Sequence, residues 1–132
     1  CIGLAFYDSY IKLGALLHIM LPERVNVNDA NVFKYADTGI RETLRKMAAF
    51  GMVKSRTTVR IAGGAKMFEI SGNAGFGNIG QRNIDSVKQV LREEGMQILA
   101  EDTGANYART MSLDTGSGEV LIRTYGRDVV RI

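Results

Sequence analysis

Two segments with helical periodicity, set among short strand-like segments, constrain the fold of this chain more than any other feature. In residues 35–50 and again after residue 80, apolar side chains recur at spacings of three and four, and Gly51 and Gly95 follow the two segments. This spacing predicts amphipathic helices that end at glycine, with Asp37 or Thr38 capping the start of the first. The apolar stripes are Ile40, Leu44, Met47 and Ala48, then Ile84, Val87, Val90 and Leu91.

Short apolar or alternating segments predict the strands. Residues 1–7 and 12–21 predict a hairpin of two largely buried strands across Asp8-Ser9, and Pro22 ends the second strand because proline cannot donate to a sheet ladder. The four glycines of Gly72, Gly75, Gly77 and Gly80 predict a loop with unusual backbone angles. Because strands outnumber helices without alternating strictly with them, we predict an α+β fold in a single domain, residues 1–132. Further strands are predicted at 57–62, 96–100, 109–113, 119–125 and 129–132, the last of these at a sheet edge.

Composition argues against several classes of protein. The longest apolar run, 13–21, is too short to span a membrane and is interrupted by His18, so we expect no membrane insertion. A single cysteine cannot form an internal disulfide, which favours a reducing, cytoplasmic location. The net charge of +3 could indicate a nucleic-acid binder, but basic and acidic residues alternate along the chain, which favours an acidic protein partner instead.

Cys1 and His18 are the residues whose chemistry suggests a reaction. A lone cysteine or histidine in an apolar strand is commonly structural. The predicted hairpin, however, places Cys1 and His18 on adjacent strands, where a histidine takes the thiol proton and the thiolate attacks a carbonyl carbon. One cysteine and one histidine are too few to hold a metal, so we expect neither a metal nor a cofactor.

Six elements along the chain form a recognisable pattern: the Cys1 strand, HIMLP at 18–22, KYAD at 34–37, IAGGAKMF at 61–68, NIGQRN at 78–83 and EDTG at 101–104. Through these elements the sequence resembles, over nearly its whole length, the CheD family of chemotaxis deamidases. The resemblance implies a protein-glutamine glutaminase that converts chemoreceptor glutamines to glutamates in bacterial or archaeal chemotaxis, with Cys1 as nucleophile and His18 as general base. It also implies mixed, sandwich-like β-sheets flanked by two main helices, in a cysteine hydrolase architecture like that of cytotoxic necrotising factor.

The same resemblance suggests further properties. Gly63, Gly64 and Asn78 are candidate substrate-binding residues, because glycine lets backbone amides approach a ligand, although the two glycines also fit simple tight turns. The implied partners are methyl-accepting chemoreceptor cytoplasmic domains and a CheC-type phosphatase. Hydrolysis of receptor methyl esters by the same thiolate is a side activity attributed to the family.

The sequence also departs from the family pattern. The family has a threonine a few residues before its cysteine that orients the histidine, so we expect the natural chain to continue upstream of Cys1. Ala105 stands where the family commonly has a second glycine. Two alternatives stay open: an N-terminal nucleophile whose base is the amine of Cys1, and a regulatory module that acts chiefly by binding the phosphatase.

Overall fold

The computed structural model describes residues 1–66 and 78–132, and these form two helices and seven strands. The helices are α1 (Ala36–Ala49) and α2 (Ile79–Glu93). The strands are β1 (Ile2–Asp8), β2 (Leu13–Ile19), β3 (Thr57–Gly63), β4 (Ile98–Thr103), β5 (Thr110–Leu113), β6 (Val120–Arg123) and β7 (Val130–Arg131), with single 3₁₀ turns at Val32–Lys34 and Lys54–Arg56.

The strands form one mixed sheet and one antiparallel sheet. The first has the order β2-β1-β3-β4, in which β1 runs antiparallel to both neighbours and β3 runs parallel to β4. The second has the order β5-β6-β7 and is antiparallel throughout. The predicted α+β class, the β1-β2 hairpin, the β5-β6 hairpin and the terminal edge strand are therefore confirmed.

The four-stranded sheet is covered on both faces. Ile2, Leu4 and Phe6 of β1 are fully buried in the main core, which also contains the apolar stripe predicted for α2. Of the stripe predicted for α1, Ile40, Leu44 and Met47 are in this core, whereas Ala48 is exposed, so its inclusion was wrong. Ala5, on the opposite face of β1, packs with Val120 and Ile122 of the smaller sheet. Because β1 lies between these two layers, it is a continuous apolar run without the polar alternation of a half-exposed strand.

The predicted capping of α1 is wrong. The residue before the helix is Tyr35, which makes no side-chain cap. The Asp37 carboxylate instead accepts the backbone N–H of Arg24 at 3.0 Å, and the Thr38 hydroxyl donates to the carbonyl of Val32 at 2.5 Å. The Asp37 carboxylate also accepts the N–H of Thr38, at 2.8 Å, within the first turn. Because the segment before the helix folds back along that turn, both side chains bind it, and neither caps the helix from the position before it.

The predicted loop of residues 72–80 is wrong at its end. Helix α2 begins at Ile79, so Gly80 lies in its first turn, while Gly72, Gly75 and Gly77, and positions 67–68 of the IAGGAKMF motif, lie outside the described residues. A Cβ at Gly80 would stand 2.6 Å from the carbonyl oxygen of Gly64. Position 80 therefore requires glycine, because the backbone of α2 approaches the backbone of Gly64 too closely for a side chain.

Both predicted helix ends are confirmed. Gly51 and Gly95 have φ values of 101° and 72°, in the left-handed region. The strand predicted at 96–100 begins later, at Ile98, because the N–H of Met96 still bonds to the carbonyl of Leu91 and closes the end of α2. Neither helix of the described residues is long and apolar enough to cross a membrane.

Candidate active site

The β1-β2 hairpin orients Cys1 and His18 toward the same side of the sheet. His18 lies directly opposite Gly3 in the antiparallel register, and Cys1 precedes Gly3 by two residues. Because side chains of paired residues point to the same face of a sheet, Gly3 and His18 share one face, and continuing the alternation of β1 back by two residues puts Cys1 on that face too. Both Cys1 and His18 are exposed to solvent.

Cys1 and His18 line a common cavity of about 540 Å³. Its floor is formed by Gly3 and Ala62, which lie side by side on β1 and β3. The segment 107–111, which leads into β5, forms the opposite wall. A cavity of this volume is within the range of small-ligand sites in proteins.

Because Gly3 has no side chain, no side chain of β1 occupies the cavity at the position opposite His18. A Cβ built at this position would have the Sδ of Met111, 3.5 Å away, as its nearest neighbour. At Gly14, which lies farther along the same hairpin, a Cβ would come within 2.7 Å of Leu113. The smaller sheet therefore packs tightly on one end of the hairpin and leaves space at the end that carries Cys1 and His18.

The glycine pair singled out in the sequence lies beside Cys1. Gly63 and Gly64 have φ values of 113° and 70°, and the N–H of Gly64 donates to the carbonyl of Cys1 at 2.8 Å. A Cβ on Gly63 would overlap that same carbonyl, and a Cβ on Gly64 would lie 2.5 Å from Ile84 of α2. Both glycines are therefore required by close packing, and both line the cavity.

Asn78 has a different position. It is exposed at the start of α2, its side chain makes no capping hydrogen bond, and it is not among the described residues that line the cavity. Its connection to the site is indirect, because Gly80, two residues later, packs against the backbone of Gly64 and Ala65.

Arg109 is a cavity residue that the sequence did not single out. Its side chain is 3% exposed and forms an ion pair with Asp102 at 3.3 Å. The guanidinium groups of Arg109 and Arg127 lie 4.4 and 4.1 Å from the centre of the Tyr107 ring, and Tyr107 also lines the cavity. No sequence signal marked Arg109, since an arginine at the start of a strand is ordinarily a solvated surface residue.

A second cavity of about 430 Å³ lies on the other face of β2, against α1. It shares Leu16, Leu17 and His18 with the first cavity and is bordered by Phe33 and Phe50. Phe50 is 76% exposed and Leu16 is 55% exposed. The strand that carries His18 is thus flanked by apolar surface on both faces.

Among the described residues, no three His, Cys, Asp or Glu side chains are grouped closely enough to hold a metal ion. The residues with polar side chains that line the cavity are Cys1, His18, Tyr107, Arg109 and Thr110. This set is suited to nucleophilic and acid–base chemistry on an amide or ester.

Comparison with known proteins agrees with this chemistry. The family model described as CheD chemotactic sensory transduction matches residues 20–124, a range that begins just after His18. Proteins described as probable chemoreceptor glutamine deamidase CheD are similar over nearly the whole chain. That of Clostridium novyi (strain NT) is 48% identical over 130 residues, which cover 98% of this chain and 80% of the relative. That of Syntrophomonas wolfei is 44% identical over 127 residues, with 96% and 79% covered. With this family match and these identities, the chain belongs to the CheD family.

Proposed function

We propose that this protein hydrolyses the side-chain amides of chemoreceptor glutamines to glutamates and releases ammonia. The observation that carries the proposal is that Cys1, the residue just before β1, and His18 of β2 line one open cavity. The relatives at 44% and 48% identity are described as deamidases with this substrate. The roles of Cys1 and His18 are inferred from their common cavity and from the chemistry of a thiol and an imidazole.

In the proposed mechanism Cys1 is the nucleophile and His18 the general base. His18 takes the thiol proton, and the sulfur forms a bond to the amide carbon of the glutamine side chain. The imidazolium then protonates the amide nitrogen, and the C–N bond breaks. Ammonia departs, and the substrate remains bound to Cys1 as a thioester. A water molecule that is deprotonated by His18 attacks the thioester, glutamate is released, and the thiol is regenerated.

We assign substrate binding to the glycine pair and, at the cavity edge, to Asn78. Gly63 and Gly64 present backbone without side chains beside Cys1, which leaves room for an extended carboxamide to reach the sulfur. A receptor methyl ester fits the same chemistry, because a thiolate attacks an ester carbon as it attacks an amide carbon. We propose that the domain works in the cytoplasm, with the architecture of a cytotoxic necrotising factor-like cysteine hydrolase.

We also propose that a CheC-type phosphatase binds at the same face as the receptor. The support for this proposal is the exposed apolar surface next to His18, where Leu16 and Met20 are 55% and 47% exposed. Exposed apolar side chains grouped beside a cleft are typical of protein interaction sites.

The test is direct observation of deamidation. The full-length protein is incubated with a chemoreceptor cytoplasmic fragment, and peptides are analysed by mass spectrometry for gains of about one dalton at glutamines, as expected when an amide becomes a carboxylate. We expect Cys1→Ala and His18→Ala each to lower the rate at least about 100-fold, because nucleophile and base act as a unit.

Gln89→Ala is the matched control, since Gln89 lies on α2 and contacts Glu93, outside the cavity. It is expected to retain the wild-type rate. If Cys1→Ala or His18→Ala also retained it, the roles assigned to these residues would be wrong. Binding of the phosphatase by an inactive Cys1→Ala variant would show that recognition and hydrolysis are separable.

A further inference from the structure

Arg109 occupies an unusual place for an arginine. Its guanidinium is nearly inaccessible, yet it lies in the wall of the cavity that contains Cys1. A buried ion pair is weak evidence of a stabilising role, because the desolvation of the two charges offsets their attraction. The hydrogen bonds of the Arg109 side chain indicate its role better than the ion pair does.

Those contacts converge on one loop, the connection between β4 and β5. Nη1 donates to the carbonyls of Gly104 and Tyr107, at 3.0 and 3.4 Å, and Nη2 donates to the carboxylate of Asp102 at 3.3 Å. The planar fork of a guanidinium reaches several acceptors at once, which an ammonium group cannot do. The Arg109 side chain thus links the end of β4, the turn that follows β4 and the backbone of Tyr107.

That loop has a backbone that needs external support. Gly104 and Ala105 are consecutive residues with positive φ, 82° and 58°. A non-glycine residue in this region is strained, and such strain persists only where surrounding contacts hold it. The carbonyl of Gly104, on the first of these two residues, is one of the groups that Arg109 binds.

The same loop is bonded to the segment that contacts Cys1. The N–H of Gly104 donates to the carbonyl of Gly63 at 2.9 Å, and the N–H of Lys66 donates to the carbonyl of Ala105 at 2.8 Å. Gly64, between these two points, donates its N–H to the carbonyl of Cys1. A continuous set of hydrogen bonds therefore runs from the Arg109 guanidinium to the backbone of Cys1.

We propose that Arg109 is a positioning residue, which holds the cavity wall and, through Gly63 and Gly64, the backbone of Cys1 in the geometry that the reaction requires. This inference rests on the proposed function, in which Cys1 is the nucleophile. Arg109 acts on the nucleophile through the loop and does not touch the reacting atoms.

The test compares two arginines that stack on the same tyrosine. Arg109→Lys keeps the charge and loses the fork, whereas Arg127→Lys makes the same change at a solvent-exposed arginine that also contacts the Tyr107 ring. Rates are measured with the full-length protein and a receptor cytoplasmic fragment, and kcat and KM are determined separately. Because a misplacement of about 1 Å costs on the order of 100-fold in rate, we expect kcat of Arg109→Lys to fall at least about 10-fold.

We expect KM of Arg109→Lys to stay within about 3-fold of wild type, because the interaction lost is not with the substrate. Arg127→Lys should match wild type in both constants. A kcat for Arg109→Lys equal to that of Arg127→Lys overturns the inference, and so does a raised KM with unchanged kcat. A wild-type protein without activity would instead overturn the proposed function, and with it the inference.

If Arg109→Lys does not fold, a second variant tests the same inference. Asp102→Asn leaves the carbonyl contacts of Arg109 in place and removes its charged partner, which is partly solvent-accessible. We expect a smaller fall of kcat, about 3-fold, again without a comparable change in KM. An unchanged kcat in a folded Asp102→Asn protein would contradict the positioning role.

Discussion

Ala105 is one of two non-glycine residues with a positive φ in the described part of the chain, and Lys12 is the other. The φ of Ala105, 58°, lies in the left-handed region, and Ala105 follows Gly104, which has φ of 82°. A left-handed conformation costs an L-residue with a Cβ roughly 1–2 kcal/mol. The carbonyl of Ala105 accepts a hydrogen bond from Lys66, so the strained residue also links the β4-β5 loop to the segment after β3.

We expect Ala105→Gly to raise the free energy of unfolding by up to about 1 kcal/mol, because relief of strain exceeds the greater flexibility of glycine in the unfolded chain. Urea denaturation followed by circular dichroism measures the change. The matched control is Ala108→Gly in the same loop, where φ is not positive and a loss of stability is expected. Equal losses in the two variants would show that Ala105 is not strained.

The site residues that could be recognised from sequence are those whose chemistry is conspicuous. Cys1 and His18 are predicted as site residues because the expected hairpin brings a thiol and an imidazole together, and Gly63 and Gly64 because paired glycines mark unusual backbone. Arg109 and Gly3 were not identified. Their roles depend on what lies opposite them, Asp102 with Gly104 in one case and Met111 in the other, and the local sequence does not encode those neighbours.

At the scale of elements, the first two turns of α2 pack against the two segments that adjoin Cys1 and His18. Gly80 packs on the backbone of Gly64 and Ala65. One turn farther on, the fully buried Asn83 donates to the carbonyl of Met20 at 2.9 Å, and Ser86 donates to the carbonyl of Pro22 at 2.6 Å. A single helix thus contacts both the segment beside Cys1 and the segment that follows His18.

Gly80→Ala tests this packing. In an exposed helix interior such a change stabilises by about 1 kcal/mol, through helix propensity. Here the new Cβ would stand 2.6 and 2.8 Å from two backbone oxygens, which have to move. We therefore expect a loss of about 1–3 kcal/mol in urea denaturation, as for overpacked interiors, together with a lower kcat.

Gln81→Ala, at the next and exposed position of α2, is the control and should change stability by less than about 0.5 kcal/mol. Stabilisation by Gly80→Ala would mean that the helix and the glycine pair are not in close contact in solution.

At the scale of the whole molecule, one buried carboxylate joins the end of β1 to the segment that leads into β3. Asp8 is fully buried and accepts the N–H groups of Val53 and Tyr10, at 3.0 and 3.1 Å, and the Arg56 guanidinium at 3.1 Å. Burial alone would raise the pKa of Asp8, but the hydrogen bonds from Val53, Arg56 and Tyr10 outweigh it and hold the pKa below its usual value.

A carboxyl whose pKa is lower in the folded than in the unfolded state stabilises the fold above its unfolded pKa of about 3.9, and this stabilisation is lost as the pH falls through the folded value. We expect the free energy of unfolding to decline below about pH 4 for this reason. Asp29 and Glu42, whose pKa values are lowered by a hydrogen bond from Tyr35 and by Arg45 respectively, contribute in the same direction.

Asp8→Asn should be less stable at neutral pH and show a weaker decline in acid, measured by urea denaturation at a series of pH values. Asp128→Asn, which changes an exposed carboxylate, should follow the wild-type curve. An acid dependence of Asp8→Asn identical to that of wild type would show that Asp8 does not carry the linkage.

The sequence by itself determined the α+β class, both helix ends, the two hairpins and the common face of Cys1 and His18. These features depend on local periodicity and on glycine, which act within a few residues along the chain. The strand end predicted at Pro22 is wrong, because β2 ends at Ile19 and the N–H groups of Met20 and Leu21 bond to the carbonyl of Lys34 instead. Only the tertiary structure decided the parallel pairing of β3 with β4, the packing of the smaller sheet on one end of the hairpin, and the cavity wall built around Arg109. These depend on contacts between residues far apart in the chain, whose free energies arise from packing, desolvation and hydrogen bonds that no local pattern specifies.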